Sequence, residues 1–286
     1  MKSNSVLTNS GDFTNALFVA NKPSGVVCSK FLASLKRRFG VKKAGFSGTL
    51  DPFASGVLLI GFGDATKLFR FLDKTPKRYR ATLWFGTSSP TLDYTGVSEV
   101  FECEEFSQGA LDAAVRELQG KLSFIPPKFS AKRIDGKRAY NLARKGVEFE
   151  LKACEMEVFE AKILHYNHPF LTFELSLSEG GFVRSWAELL CQKLGASGAL
   201  SALCRLSEGK FEFDGMKKLD PREFVNIAFN KYRYNLADFA VGKKIFAKDF
   251  EDESCGLWAI DLGGAVSVVE ICEDGRARYV LNQVKI

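Results

Sequence analysis

Histidine is almost missing from this chain. Only His165 and His168 occur in 286 residues. Neither has metal-ligand company nearby, so a zinc centre or a histidine-based catalytic triad is not expected. The seven cysteines, at 28, 103, 154, 191, 204, 255 and 272, form no C-x-x-C pair. An odd, scattered set argues against a disulfide framework and for free thiols in a reducing cytoplasm. No apolar run reaches 18 residues, which excludes an ordinary membrane-spanning helix. The N-terminus leads to no signal-peptide core. No dinucleotide-binding fingerprint is present, so neither a metal nor a nucleotide cofactor is expected.

Aliphatic and aromatic residues are well supplied. Hydrophobic residues make up 46% of the chain, enough for a sizeable core, and 26 of them are Phe. With so many Phe, no single one is evidence for base stacking. Net charge is +6, but it is unevenly placed. Residues 1 to 50 carry eight Lys and Arg against Asp12 alone. Residues 121 to 146 carry Lys121, Lys128, Lys132, Arg133, Lys137, Arg138, Arg144 and Lys145 against Asp135. Two basic blocks on a nearly balanced protein point to a polyanion-binding face.

Periodicity outlines the elements. Residues 1 to 13 are polar and expected to fray. Ala16 to Ala20 reads as a buried strand ending in the turn Asn21-Lys22-Pro23-Ser24-Gly25. Ser29 is placed to cap a helix through Phe39, with Gly40 as its stop. Arg80 to Gly86 alternates like a strand, and a helix starts at Ser107 or Gln108. Leu171-x-Phe173-x-Leu175-x-Leu177 is a period-2 strand. Ser185 leads into a helix stopped by Gly195, which leaves Arg184 between strand and helix. Asp220-Pro221 signals a further helix start. From about residue 240 the pattern is of short strands, with Glu273-Asp274-Gly275 as a hairpin turn. The sum is an α+β fold, a mostly antiparallel sheet with flanking helices.

The densest chemistry lies in Gly45-Phe46-Ser47-Gly48-Thr49-Leu50-Asp51-Pro52-Phe53-Ala54-Ser55-Gly56-Val57-Leu58. One carboxylate stands between a Gly-rich approach and an apolar exit. Pro52 biases Asp51 toward an extended conformation. A loop acid anchored by core on both sides suits a catalytic carboxylate. An Asx-turn accounts for the same residue on local grounds alone.

The segment Gly48 to Leu58 resembles the catalytic motif of the TruB family of tRNA pseudouridine synthases. Further matches follow in order: Lys22-Pro23-x-Gly25, Gly63-Asp64-Ala65-Thr66-Lys67, Lys77-Arg78-Tyr79, Thr91-x-Asp93-x-x-Gly96, the run from Pro126 to Gly146, Gly180 to Ser185, and Leu203-x-Arg205. They span residues 17 to 211.

The resemblance implies the pseudouridine synthase fold over residues 1–238 and a short PUA-like β-rich module over 239–286. It implies isomerisation of the T-loop uridine, position 55 of tRNA, on a flipped-out base, by a cytoplasmic monomer. Asp51 takes the role of catalytic carboxylate; attack at C1′, attack at C6 and charge stabilisation all remain open. Arg184 is its implied cation partner. Tyr79 stacks on the base and serves proton transfer. Lys22 is structural or a contact near the loop, and Leu203 is pocket wall. The block holding Lys132, Arg133, Arg138 and Arg144 grips phosphates of the T-arm.

Two departures stand out. Phe46 occupies a position that is His in many relatives, and Val27-Cys28 stands where Ser or Thr is common. A ribosomal-RNA synthase would carry an Arg-Leu-Asp core, whereas this chain has Thr49-Leu50-Asp51. A purely RNA-binding or RNA-folding protein would not need Asp51, Tyr79 and Arg184 together.

Overall fold

The computed structural model describes residues 13–134 and 136–286. The expected fraying over 1–12, and Asp135 of the basic block, lie outside the described residues. Phe13 is buried, with its ring 4.6 Å from Phe39 and 5.6 Å from Phe18.

The elements, in chain order, are β1 (Ala16–Lys22), α1 (Cys28–Phe39), β2 (Ala44–Ser47), β3 (Ser55–Phe62), β4 (Lys77–Phe85), α2 (Gln108–Glu117), β5 (Gly120–Phe124), α3 (Ala139–Arg144), β6 (Cys154–Asn167), β7 (Phe170–Leu177), α4 (Val183–Lys193), β8 (Gly198–Glu208), β9 (Phe211–Glu212) and β10 (Lys218–Leu219). The last four strands are β11 (Ile245–Phe246), β12 (Gly256–Asp261), β13 (Ala265–Ile271) and β14 (Arg276–Lys285).

Ten strands form one sheet in the order β10-β1-β3-β8-β4-β7-β6-β5, with β2 on β3 and β9 on β8. Every pair is antiparallel except β3 with β8. Both faces of its centre are buried. In β1, Ala16, Phe18 and Ala20 join the main core, while Leu17 and Val19 pack on the opposite side with Val57, Leu59 and Phe211. α4 adds Trp186, whose indole N–H donates to the Leu118 carbonyl at 3.0 Å. The strands β11 to β14 make a separate four-stranded sheet around Phe239, Ile245, Phe250, Ile260 and Val269. Phe229 bridges to Ala259 and Tyr232 to Phe250, so the chain joins this sheet before its first strand.

Three local readings need correction. α1 starts at Cys28 behind Val27, which makes no side-chain cap, and Ser29 lies inside the helix. α4 begins at Val183, so Arg184 sits in its first turn rather than ahead of it. Asp220 does accept the Arg222 N–H at 3.0 Å, but only a 3-10 turn over Pro221–Glu223 follows. Tertiary contacts capture what comes next: Val225 bridges to Leu72 and Phe224 stacks on Phe211 at 4.9 Å.

Among the described residues no helix is long and apolar enough to cross a membrane.

Candidate active site

The parallel pairing of β3 with β8 organises the site. It sets Gly56 opposite Arg205. Gly56 has φ +108°, and a Cβ there would lie 2.2 Å from the Arg205 carbonyl oxygen. Only glycine permits that approach. The loop 48–54 therefore hangs from the end of β3 directly beside β8, and Asp51 is at its tip.

Two sets of contacts hold this loop. On one side is the 22–28 turn. Lys22 is wholly buried, and its Nζ donates to the carbonyls of Val26 at 2.7 Å, Pro23 at 3.0 Å and Pro52 at 3.4 Å. Burial lowers its pKa. Lys22 is thus a pin between turn and loop and presents no donor to the pocket. Gly25 N–H adds a bond to Pro52 at 2.8 Å. The Cys28 thiol bonds the Leu50 carbonyl and accepts the Leu50 N–H, both at 3.3 Å. Burial pushes that thiol's pKa up.

On the other side is a buried ionic cluster. Arg205, 1% exposed, donates to the Val57 carbonyl at 2.8 Å and the Gly48 carbonyl at 3.0 Å. Its guanidinium is 3.3 Å from Glu208, which is wholly buried. Glu208 in turn accepts from the Ser47 hydroxyl at 2.9 Å.

Asp51 faces Arg184. Arg184 Nη2 donates to Asp51 Oδ1 at 2.8 Å. The guanidinium is 2% exposed, while about a quarter of the Asp51 side chain (27%) opens to a cavity. Arg184 also donates to the Thr91 carbonyl at 2.8 Å and the Phe129 carbonyl at 3.1 Å. Asp93 Oδ2 stands 4.0 Å from Arg184 Nη1. The Asp93 carboxylate is itself tied down by the Thr95 N–H at 2.9 Å and the Thr91 hydroxyl at 3.0 Å. Burial raises the Asp51 pKa, Arg184 pulls it back, and Asp93 adds to the rise. The aspartate is therefore a carboxylate of raised basicity whose rise is opposed by Arg184 and, more weakly, by Lys22. A preorganised anion of this kind can attack carbon or stabilise a developing positive charge.

The cavity in front of Asp51 has a volume of about 570 Å³. Tyr79, Leu203, Lys77 and Gly181 are among its walls. Tyr79 lies on the pocket side of β4, where burial raises its hydroxyl pKa and the neighbouring Arg205 opposes the rise. Lys132 also lines this cavity, its ammonium on the Cys154 thiol. Arg133, Arg138 and Arg144 are exposed and stand away from Asp51 on the segment that carries α3. Arg138 donates to the Ala131 carbonyl, and Arg144 lies 5.8 Å from the Tyr140 ring. Phe46 does not reach the cavity; it is half-buried on β2 and packs against the main core.

Sequence reasoning quoted Asp93, Lys77 and Arg205 within motifs but gave them no role, and it missed Glu208. Strand alternation carries a signal for Lys77, two residues before Tyr79 on the same face. Among the described residues no group of three or more His, Cys, Asp or Glu could hold a metal ion.

Comparison with known proteins bears on the family and the fold. Residues 36–183 match the family described as TruB family pseudouridylate synthase (N terminal domain). A protein of Campylobacter curvus named tRNA pseudouridine synthase B is 52% identical over 271 residues, covering 95% of this chain and 99% of that one. Proteins of the same name from Campylobacter jejuni and Sulfurimonas denitrificans are each 46% identical, with the same coverage. Among solved structures, a Cbf5-Nop10-Gar1 complex gives a TM-score of 0.64 at 17% identity, covering 95% of this chain and 84% of the other. An archaeal box H/ACA Nop10-Cbf5 complex gives 0.66 at 16%, covering 95% and 86%. At such identities the likeness is one of fold.

Proposed function

The chain belongs to the TruB family of pseudouridylate synthases, and on that premise we propose that it converts uridine 55 in the T-loop of tRNA to pseudouridine. The reaction breaks the C1′–N1 bond, joins C1′ to C5 and moves a hydrogen from C5 to N1. Nothing is oxidised or reduced, so the chemistry calls for no redox cofactor. The observation that carries the reading is the Asp51–Arg184 pair at 2.8 Å, open on one side to a cavity walled by Tyr79 and Leu203.

Asp51 acts on the flipped base or its sugar. Arg184 keeps the carboxylate ionised in a site that otherwise favours the proton. Tyr79 stacks on the uracil, and Leu203 closes the opposite wall. Because the base lies stacked in the folded T-loop, it must be extruded to reach Asp51. Lys132, Arg133, Arg138 and Arg144 grip T-arm phosphates, and the β-rich module 239–286 is PUA-like and extends the RNA contact. The protein works as a cytoplasmic monomer without a bound cofactor. The relatives' shared name, tRNA pseudouridine synthase B, and their near-complete coverage support tRNA as the substrate.

The test is to incubate the protein with an unmodified tRNA transcript in a chelator and map pseudouridine by position. Modification at position 55, and none in a transcript with cytidine there, is expected. Modification elsewhere, or none, refutes the assignment.

A further inference from the structure

Among the cations around the cavity, Lys77 makes ion pairs but no hydrogen bond among the described residues. Lys77 opens β4, in which Lys77, Tyr79 and Ala81 are buried and Arg78 and Arg80 exposed. Its side chain is 9% exposed, and it lines the same cavity as Asp51 and Tyr79. A lysine removed this far from water must recover what its ammonium loses.

Arg184 and Arg205 recover most of it, although Arg184 Nε has no partner among the described residues. Arg184 bonds Asp51 and two carbonyls, and Arg205 bonds two carbonyls and leans on Glu208. Lys77 does not. Its nearest carboxylate oxygens are Glu208 Oε1 and Glu179 Oε1, each 3.7 Å away. Both are beyond hydrogen-bond length. Glu208 Oε1 already accepts from Ser47. The charge of Lys77 is thus balanced, while its N–H donors stay unfilled toward the cavity.

What they would take follows from the neighbours. Two carboxylates flank the ammonium, and a phosphate would bring a third negative charge against them. A neutral acceptor carries no such penalty. Lys77 stands two residues from Tyr79 on one strand face, roughly 7 Å along the strand. A base stacked on Tyr79 would present its edge within reach of the lysine. We propose that Lys77 is a specificity-determining substrate contact that donates to a carbonyl oxygen of the extruded uracil. This rests on the reading of the pocket given above. Donation at C4 also supplies a means of base selection, which donation at C2 does not: cytosine has an amino group where uracil has its C4 carbonyl, and an amino group cannot accept from an ammonium.

The test uses the full-length protein and a short T-arm stem-loop. The target uridine is left as it is, or carries sulfur in place of oxygen at C2 or at C4. Sulfur is a weak acceptor. Wild type should lose about tenfold or more in kcat/KM at one of the two positions, in the range of a charged hydrogen bond. Lys77→Met should lose a similar factor on the oxygen substrate and little more on that thio substrate. Lys77→Arg should recover part of the loss. A merely structural lysine would lower all three substrates by one common factor, which overturns the proposal. So does a wild type indifferent to both sulfurs, a result that needs no variant. Should Lys77→Met fail to fold in a thermal melt, Lys77→Arg takes its place, because it keeps the charge against Glu179 and Glu208. Its oxygen-to-sulfur ratio must then differ from wild type. A third arm replaces the adjacent phosphates by methylphosphonates. Coupling of Lys77 to those instead of to sulfur makes the ligand a phosphate and also overturns the proposal. Wild-type turnover of the oxygen substrate tests the parent reading separately.

Discussion

Arg184→Met removes the group that most strongly opposes protonation of Asp51. The side chain is 2% exposed and makes three hydrogen bonds, to Asp51, the Thr91 carbonyl and the Phe129 carbonyl. Methionine fills much of the volume and replaces none of them. Breaking a buried pair by deleting one partner costs about 3–5 kcal/mol. Asp51 keeps a quarter of its surface open to the cavity, so water can relieve part of that, and a value near 3 kcal/mol is expected. Expressed in the barrier, this is roughly a hundredfold in turnover at neutral pH. The loss has a second signature. Without Arg184, burial and Asp93 push the Asp51 pKa further up against only the smaller pull of Lys22. The acid limb of the pH–rate profile must therefore move to higher pH, and turnover should partly recover in alkaline buffer. The assay is release of label from C5-tritiated uridine, since forming the C1′–C5 bond expels that hydrogen. Arg184→Lys restores a charge without the fork and should fall between the two. Unchanged turnover, or a drop with the acid limb unmoved, would refute the role given to Arg184.

Asp51→Asn should abolish turnover and leave RNA binding intact. Its stability should also change with pH in a set direction. Burial raises the Asp51 pKa above its unfolded value, so wild type loses stability as pH rises through that interval, whereas the amide does not titrate. The melting temperature of wild type relative to Asp51→Asn should fall as pH rises from the acid range; a constant difference would contradict it. Gly56→Ala forces a Cβ to within 2.2 Å of the Arg205 carbonyl at φ +108°. It should destabilise by at least about 3 kcal/mol, and a melt within a degree or two of wild type would show that the close approach is not required. Neutralising Arg133 and Arg138 together should weaken tRNA binding and flatten the log–log salt slope by up to roughly two units; an unchanged slope would make that block an ordinary solvated surface.

What could be read in advance was local. The alternation of β7, the amphipathic pattern of α1 and the stop at Gly40 are short-range signals, and the structure contains those elements. The segment from Gly48 to Leu58 declared itself because its Gly, Asp and Pro fall within five residues of one another. The partnership of Asp51 with Arg184 came through resemblance alone, because the two are 133 residues apart. The Arg205–Glu208 pair could not be read at all. Residues three apart in a regular strand point to opposite faces. Here a register shift between Arg205 and Ser207 turns Glu208 back to the side of Arg205. Lys22 was legible as structural or as a contact near the loop, but nothing local reveals the three carbonyls that converge on its ammonium. Phe46, expected near the RNA, is half-buried on β2 and packs against the main core.

The contacts that define the site also fix when it can exist. Ser47 meets Glu208 across 161 residues, Arg205 meets Gly48 across 157 and Arg184 meets Asp51 across 133. Closing loops of that length comes at an entropic cost that must be met before any of these bonds can form. A nascent chain that has not yet delivered β8 holds the 48–54 loop from the 22–28 turn alone, however well its N-terminal strands have paired. Turnover would then be a late observable in refolding, appearing with the long-range sheet and after the helices. A refolding experiment that follows tritium release beside far-ultraviolet circular dichroism would see the two signals part in time.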